Sequence, residues 1–410
     1  MDRFIGLIGI AIILGIAFLF SNNKKKINYR LVLSGLGLQI VLALLILKVQ
    51  PVTWFFQKLG GGMEKIEQFA KQGAAFVYGG VASMSYTGEV VNYREDNTFV
   101  FAFNITSTII LVCVLVAILY HLGVMQFIVS MIAKAMNWVM RVSGAEALSN
   151  VASAFVGQVE AQVMIRPYLA GMTKSELLAS MSGSLACIAG GILIVYVNMG
   201  AKAEYLLAAS LMAAPGALVI SKIVFPETEE SQTMGKVKLE VKKEHSNLID
   251  AISHGAGDGF KIAMNVIAML IGFIALIALI NALLGCFYDG LTLDFIFSKL
   301  FYPMAWAMGT PTEDLNSVAT LLGQKLTINE FVAFKNMTTQ AVPVMSEKGI
   351  MIASFAICGF ANFSSVGMQI GGIGALAPER RADLAKLGLR ALLCGTLASY
   401  LSATIAGILM

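Results

Sequence analysis

Charge is scarce in this sequence. Asp, Glu, Lys and Arg together make up 13% of the 410 residues while hydrophobic types make up 57%, and a soluble domain covers its surface with about twice that share of charge. With a mean hydropathy of +0.77, a water-soluble globular fold is excluded and the chain reads as an integral membrane protein. Histidine is rarer still. His121, His245 and His254 lie far apart and form no HExxH pair, so no metal-hydrolase motif is present. Cys113, Cys187, Cys286, Cys358 and Cys394 stand singly in apolar runs, without the paired spacing of a zinc site or a disulfide framework. A GxSxG nucleophile elbow is also missing. The net charge of +4 is small and confined to loops, which bears on topology and gives no reason to expect nucleic acid as a partner.

What the chain does have is a succession of apolar runs punctuated by basic loops. Phe4 to Phe20 lacks a small-residue cleavage site and ends in Asn22-Asn23-Lys24-Lys25-Lys26, so it reads as a retained first span whose basic turn is cytoplasmic. Leu31 to Leu47 returns outward. Pro51 to Asn97 mixes Trp54, Phe55, Phe69 and Phe76 with lysines and glutamates, the pattern of a helix lying in the membrane interface. Thr98 to Leu122 goes in, and Val124 to Arg141 is a second interfacial helix. Pro226 to Ile249, with Lys236, Lys238, Lys242 and Lys243, is a cytoplasmic linker, and Ile262 to Tyr288 reads as a scaffold span outside any site. The expected organisation is residues 1–122 as N-terminal scaffold, 123–225 as a first transport repeat, 226–288 as linker and scaffold span, and 289–410 as a second transport repeat. Both termini are expected outside.

Polar residues interrupt the apolar runs at corresponding places in the two repeats. In Ala145 to Leu169 the run breaks at Gly157-Gln158-Val159-Glu160-Ala161, and in Thr312 to Val342 at Asn329-Glu330-Phe331-Val332-Ala333. The span after each is also broken, at Ala189-Gly190-Gly191 and at Gly359-Phe360-Ala361-Asn362-Phe363-Ser364-Ser365. An ionised carboxylate in hydrocarbon costs at least about 2.5 kcal/mol, so it faces a cavity or a partner. Non-helical backbone at that depth is tolerated only where it is buried in protein or lines a cavity. The pattern predicts two half-length hairpins and two broken spans in inverted repeats around a central site, as in many secondary transporters. From the residues alone, an intramembrane enzyme pairing Glu160 with Glu330 and a passive channel for small polar solutes stay open as alternatives.

These motifs, in this order and spacing, resemble the concentrative nucleoside transporter family along nearly the whole chain. The resemblance implies an all-α polytopic protein of about eight transmembrane helices, two re-entrant hairpins, interfacial helices and a homotrimer. It also implies nucleoside import by cation symport across the cytoplasmic membrane of a bacterium, with no enzymatic activity and no cofactor. In that family Gln158 would serve the base with Glu160 as a second contact, and Glu330, Asn362 and Ser365 would hold the ribose, with Phe360 lining or gating the pocket. A carboxylate accepting from a sugar hydroxyl makes a charge-assisted hydrogen bond. Two positions depart from the family pattern. Val159 stands where some relatives carry a hydroxyl, which removes one base contact. Ser153 and Cys187 stand where sodium-coupled members have an amide and a hydroxyl, leaving Val156 and Ile188 to offer backbone carbonyls. Sodium prefers oxygen ligands and a thiol substitutes poorly, so the expected coupling ion is a proton taken up by a buried carboxylate, with sodium second.

Overall fold

The computed structural model describes residues 2–78, 101–233, 246–288, 290–338 and 343–410, and these fold into helices joined by short connections. The expected cytoplasmic lysines at 236, 238, 242 and 243 lie outside the described residues. Helices α1 (Asp2–Leu19), α2 (Tyr29–Lys48) and α3 (Gln50–Tyr78) open the chain. Asn28 caps α2 by accepting from the Leu31 amide at 3.2 Å. Helix α3 leaves Trp54, Phe55, Phe69 and Phe76 exposed; the rest of the stretch expected to lie in the interface, 79–97, lies outside the described residues. Helix α4 (Phe101–His121) is followed by α5 (Val124–Met140), bent from it by 74° at Gly123. Gly123 has φ +79°, a backbone region glycine enters at little cost. Among the described residues three helices are long and apolar enough to cross a membrane unaided, namely α2, Ala203–Val224 and Pro378–Leu409.

The interrupted elements account for most of the rest. The first hairpin comprises α6 (Gly144–Ser153), a non-helical tip, and the short α7 (Glu160–Val163) and α8 (Arg166–Leu169). The first broken span is α9 (Lys174–Ala186) and α10 (Gly190–Asn198), followed by the continuous α11 (Ala203–Val224). After α12 (Leu248–Gly285), α13 (Leu293–Leu300) and α14 (Tyr302–Ala307), the same order recurs. A second hairpin pairs α15 (Leu315–Thr327) with α16 (Glu330–Thr338), a second broken span pairs α17 (Glu347–Ile357) with α18 (Phe363–Leu376), and α19 (Arg381–Leu409) closes the chain. Helix α12 lies along α4 with Gly255 and Gly259 at the contact, where a Cβ would sit 2.9 Å from Val114 and 2.7 Å from Ile110. Small residues spaced this way let two helix backbones approach closely.

Each hairpin is anchored at its base. Helices α6 and α9 both start with a capping box, Ser143 with Glu146 and Thr173 with Glu176, which satisfies donors that a helix start otherwise leaves orphaned. The Gly144 amide donates to the Thr233 carbonyl at 3.0 Å, and Thr233 Oγ1 donates to Glu176 at 2.7 Å. Lys222, near the end of α11, places Nζ 2.7 Å from Glu146 and 3.4 Å from Glu227, and donates to Ser175 Oγ at 3.0 Å. Arg380 Nη1 donates to the carbonyls of Leu169, Ala170 and Met172 at the end of the first hairpin. In the second repeat the Asp314 carboxylate accepts from the Ser346 amide at 3.2 Å, joining the start of hairpin 2 to the start of α17. At the same start of α17, Lys202 meets Glu347 at 2.6 Å.

The two broken spans cross at their breaks. The Phe360 amide donates to the Cys187 carbonyl at 3.3 Å, and the Gly190 amide donates to the Phe155 carbonyl at the tip of hairpin 1 at 3.2 Å. Gly359 permits the crossing, because a Cβ there would lie 2.4 Å from the Ala186 carbonyl oxygen. Two outcomes follow from this packing. Lys222→Met leaves the buried Glu146 uncompensated and should lower stability by about 3–5 kcal/mol, read as a fall in the unfolding midpoint of the purified protein, with part of the loss recovered in Lys222→Met/Glu146→Gln. Gly359→Ala should sharply reduce solute uptake, whereas Gly371→Ala, whose Cβ would meet open space, should leave uptake near normal in the same vesicle assay.

Candidate substrate site

The tips of both hairpins and both breaks converge on a cavity of about 230 Å³. Gln158, Val159 and Glu160 line it from hairpin 1, Asn329, Glu330 and Phe331 from hairpin 2, and Phe360, Asn362, Ser364 and Ser365 from the second break. All seven substrate-contact residues expected from the sequence therefore face one space. What brings them together is local capping. Asn362 is the N-cap of α18, its Oδ1 accepting from the Ser365 amide and from Ser364 Oγ, each at 2.8 Å. Its other side-chain atom, Nδ2, donates to Glu330 Oε2 at 2.9 Å. On hairpin 2, Asn329 Oδ1 accepts from the Val332 amide at 2.9 Å and so starts α16 with Glu330 at its first position.

Glu330 is buried and accepts a second hydrogen bond from Tyr196 Oη at 3.1 Å. Tyr196 belongs to α10 of the first repeat and stacks on Phe334 with ring centroids 4.4 Å apart. It is absent from the sequence-based set, because a Tyr in Ile192 to Asn198 looks like any core aromatic. Across the cavity, Gln158 places Nε2 4.0 Å from the Met368 sulfur, while its Oε1 is buried without a partner. Ser365 Oγ is likewise buried without a partner. Buried polar atoms normally find partners, so these two are acceptor and donor positions suited to a bound polar molecule.

Three expectations change at this level. Glu160 is exposed, not buried. It opens the four-residue α7, folds its carboxylate back over Gly157, where a Cβ would meet Oε2 at 2.0 Å, and faces both this cavity and a second one walled by α4 and α12. Helix α12, assigned to scaffold alone, contributes Ile262, Asn265 and Val266 to the cavity wall, and Asn265 in an apolar span was the signal for it. The side chains expected around sodium are engaged elsewhere. Ser153 Oγ donates to the Ser149 carbonyl at 2.7 Å and lies 2.8 Å from Ser184 Oγ, which also accepts from Gln162 Nε2 at 2.8 Å. The Cys187 thiol points to the Ser210 carbonyl at 3.6 Å. With Val156 and Ile188 also buried, this set offers a hard cation the Ser153 oxygen and backbone carbonyls, and the Cys187 thiol remains a poor ligand for sodium.

The arrangement can hold a polar molecule. A carboxylate, an amide and a hydroxyl face an amide across an aromatic-lined space, so hydrogen-bond acceptors and donors converge on one cavity. Nothing in it pairs a nucleophile with a base, and among the described residues no group of His, Cys, Asp and Glu could hold a metal.

Sequence comparisons agree with this geometry. The family model described as Na+ dependent nucleoside transporter matches residues 8–81 with its N-terminal part and 205–407 with its C-terminal part, and one described as nucleoside recognition matches 102–203 between them. The chain is 40% identical over 408 residues to YutK of Bacillus subtilis (strain 168), an uncharacterized transporter, covering 98% of each. It is 36% identical over 413 residues to the nucleoside permease NupC of Helicobacter pylori, covering 98% of this chain and 96% of that one. The structure of CNTnw in an inward-facing substrate-bound state superposes with a TM-score of 0.92 at 38% identity, covering 100% of this chain and 98% of that one. The fold, the site and these matches together establish that the chain is a transporter, not an enzyme, and belongs to the concentrative, Na+-dependent nucleoside transporter family.

Proposed function

We propose that the protein imports nucleosides across the cytoplasmic membrane by symport with a proton. The observation that carries this reading is Glu330, buried at the hairpin 2 tip and hydrogen-bonded to Tyr196 of one repeat and Asn362 of the other, facing Gln158 across the cavity. In this reading Glu330, Asn362 and Ser365 take the ribose, Gln158 takes the base edge, and Val159 and Phe360 shape the base pocket. Glu160 acts from the cavity rim as a second base contact. The hairpins are re-entrant, the transport repeats are 123–225 and 289–410, and the working unit is a homotrimer. Proton coupling is favoured over sodium because Ser153 and Cys187 spend their side chains inside the protein. Of the two focal carboxylates only Glu330 is buried, so it is the one whose charge can be tied to occupancy.

Two measurements test the proposal. Hydrogen bonds to a charged group contribute about 1.5–3 kcal/mol, so Glu330→Ala should weaken uridine binding roughly 10- to 150-fold. An analogue lacking the bonded sugar hydroxyl should lose much less, and equal losses for both would remove Glu330 from the sugar site. For the ion, uridine uptake in vesicles should persist when choline replaces sodium and should follow an imposed pH gradient. Uptake that collapses in choline and ignores the pH gradient would overturn proton coupling.

A further inference from the structure

Lys325 sits in the last turn of α15, just before the chain breaks at the tip of hairpin 2, and it is fully buried. Its Nζ has no hydrogen-bond partner, and it lines neither of the two cavities described. A lysine stem long enough to reach water normally does so, and an unpaired buried ammonium is among the most unfavourable groups a protein can hold. It is tolerated where an opposite charge lies within Coulomb range, because the low dielectric of the interior lets attraction act without contact. Glu330, buried at the first position of α16, is the carboxylate that follows it across the same hairpin tip, close enough in the chain for its charge to act on Lys325. Glu330, whose two hydrogen-bond donors, Tyr196 and Asn362, are both uncharged, is acted on in turn by Lys325.

We propose that Lys325 is the internal counter-cation of Glu330, a positioning residue that balances the carboxylate from behind the hairpin tip and leaves its oxygens available to the sugar. The assignment rests on Glu330 being the sugar acceptor. A direct salt bridge would occupy the lone pairs that substrate needs, whereas a cation held out of contact supplies the charge and leaves the acceptors free.

The test compares full-length Lys325→Met, Lys325→Arg, Glu330→Gln and Lys325→Met/Glu330→Gln in proteoliposomes, measuring KM and maximal rate for uridine, with thermal unfolding as a check on folding. Lys325→Met should raise the uridine KM about 10-fold or more and Lys325→Arg should recover most of that loss, while the double variant should transport no worse than Glu330→Gln, since residues acting as one unit are not additive. Losses that multiply in the double variant, or an unchanged KM in Lys325→Met, would overturn the assignment. If Lys325→Met does not fold, the double variant decides. Removing both charges should restore a folded protein, and a double variant as unfolded as the single one would count against the pair. Failure of the underlying sugar reading would look different: Glu330→Gln would then weaken uridine and its deoxy analogue equally, while Lys325 and Glu330 would still couple in thermal stability.

Discussion

Backbone amides and carbonyls that leave a helix inside an apolar protein must find partners, and there is no water at hand to supply them. Two spans here are broken and two hairpins are tipped with non-helical chain, so four sets of orphaned groups arise. The structure satisfies them by bringing them together. The Phe360 amide bonds to the Cys187 carbonyl, and the Gly190 amide to the Phe155 carbonyl. This makes the two breaks and the first tip mutually dependent, and Gly359 is the residue whose missing side chain allows the approach. The binding cavity is the consequence. Polar side chains are admitted to the protein's centre because the backbone has already made that centre polar.

Economy at the site follows from the same constraint. Asn362 caps α18 with its oxygen and orients Glu330 with its nitrogen, so one side chain both ends a break and builds the site. Asn329 starts the helix on which Glu330 stands. The helix starts at the bases of the hairpins are fastened in a related way, through the two capping boxes, the buried Lys222 with Glu146, and Asp314 with Ser346. A rigid base and a capped tip hold the contact residues on defined helix ends, which is how a site gains precision. The engagement of Ser153 with Ser184, and of Cys187 with Ser210, belongs to this internal fastening.

Much of this was legible in the residues. Low charge and long apolar runs leave only a membrane solution for the chain, and carboxylates and amides in such runs are too unfavourable to be incidental, which marks the stretches holding Gln158, Glu330 and Asn362, while the resemblance to the family supplied the role of each residue. The repeat of hairpin, broken span and continuous span was visible in where the apolar runs stop. Tyr196, Asn265 and Lys325 were not. Each sits where sequence shows only an aromatic, an amide or a lysine in or beside a hydrophobic helix, and its meaning depends on which residue far along the chain stands opposite. Glu160 went the other way, since its exposure depends on how the short α7 turns at the hairpin tip. The sequence by itself determined the environment, the order of elements and the residues that must be sheltered, because hydropathy and unpaired polar groups carry their energetic requirements locally. Which of those residues meet, which face the cavity and which are spent on internal hydrogen bonds was decided only by the tertiary structure, because pairing across 100 or more residues, as between Tyr196 and Glu330, is set by packing and leaves no local signal.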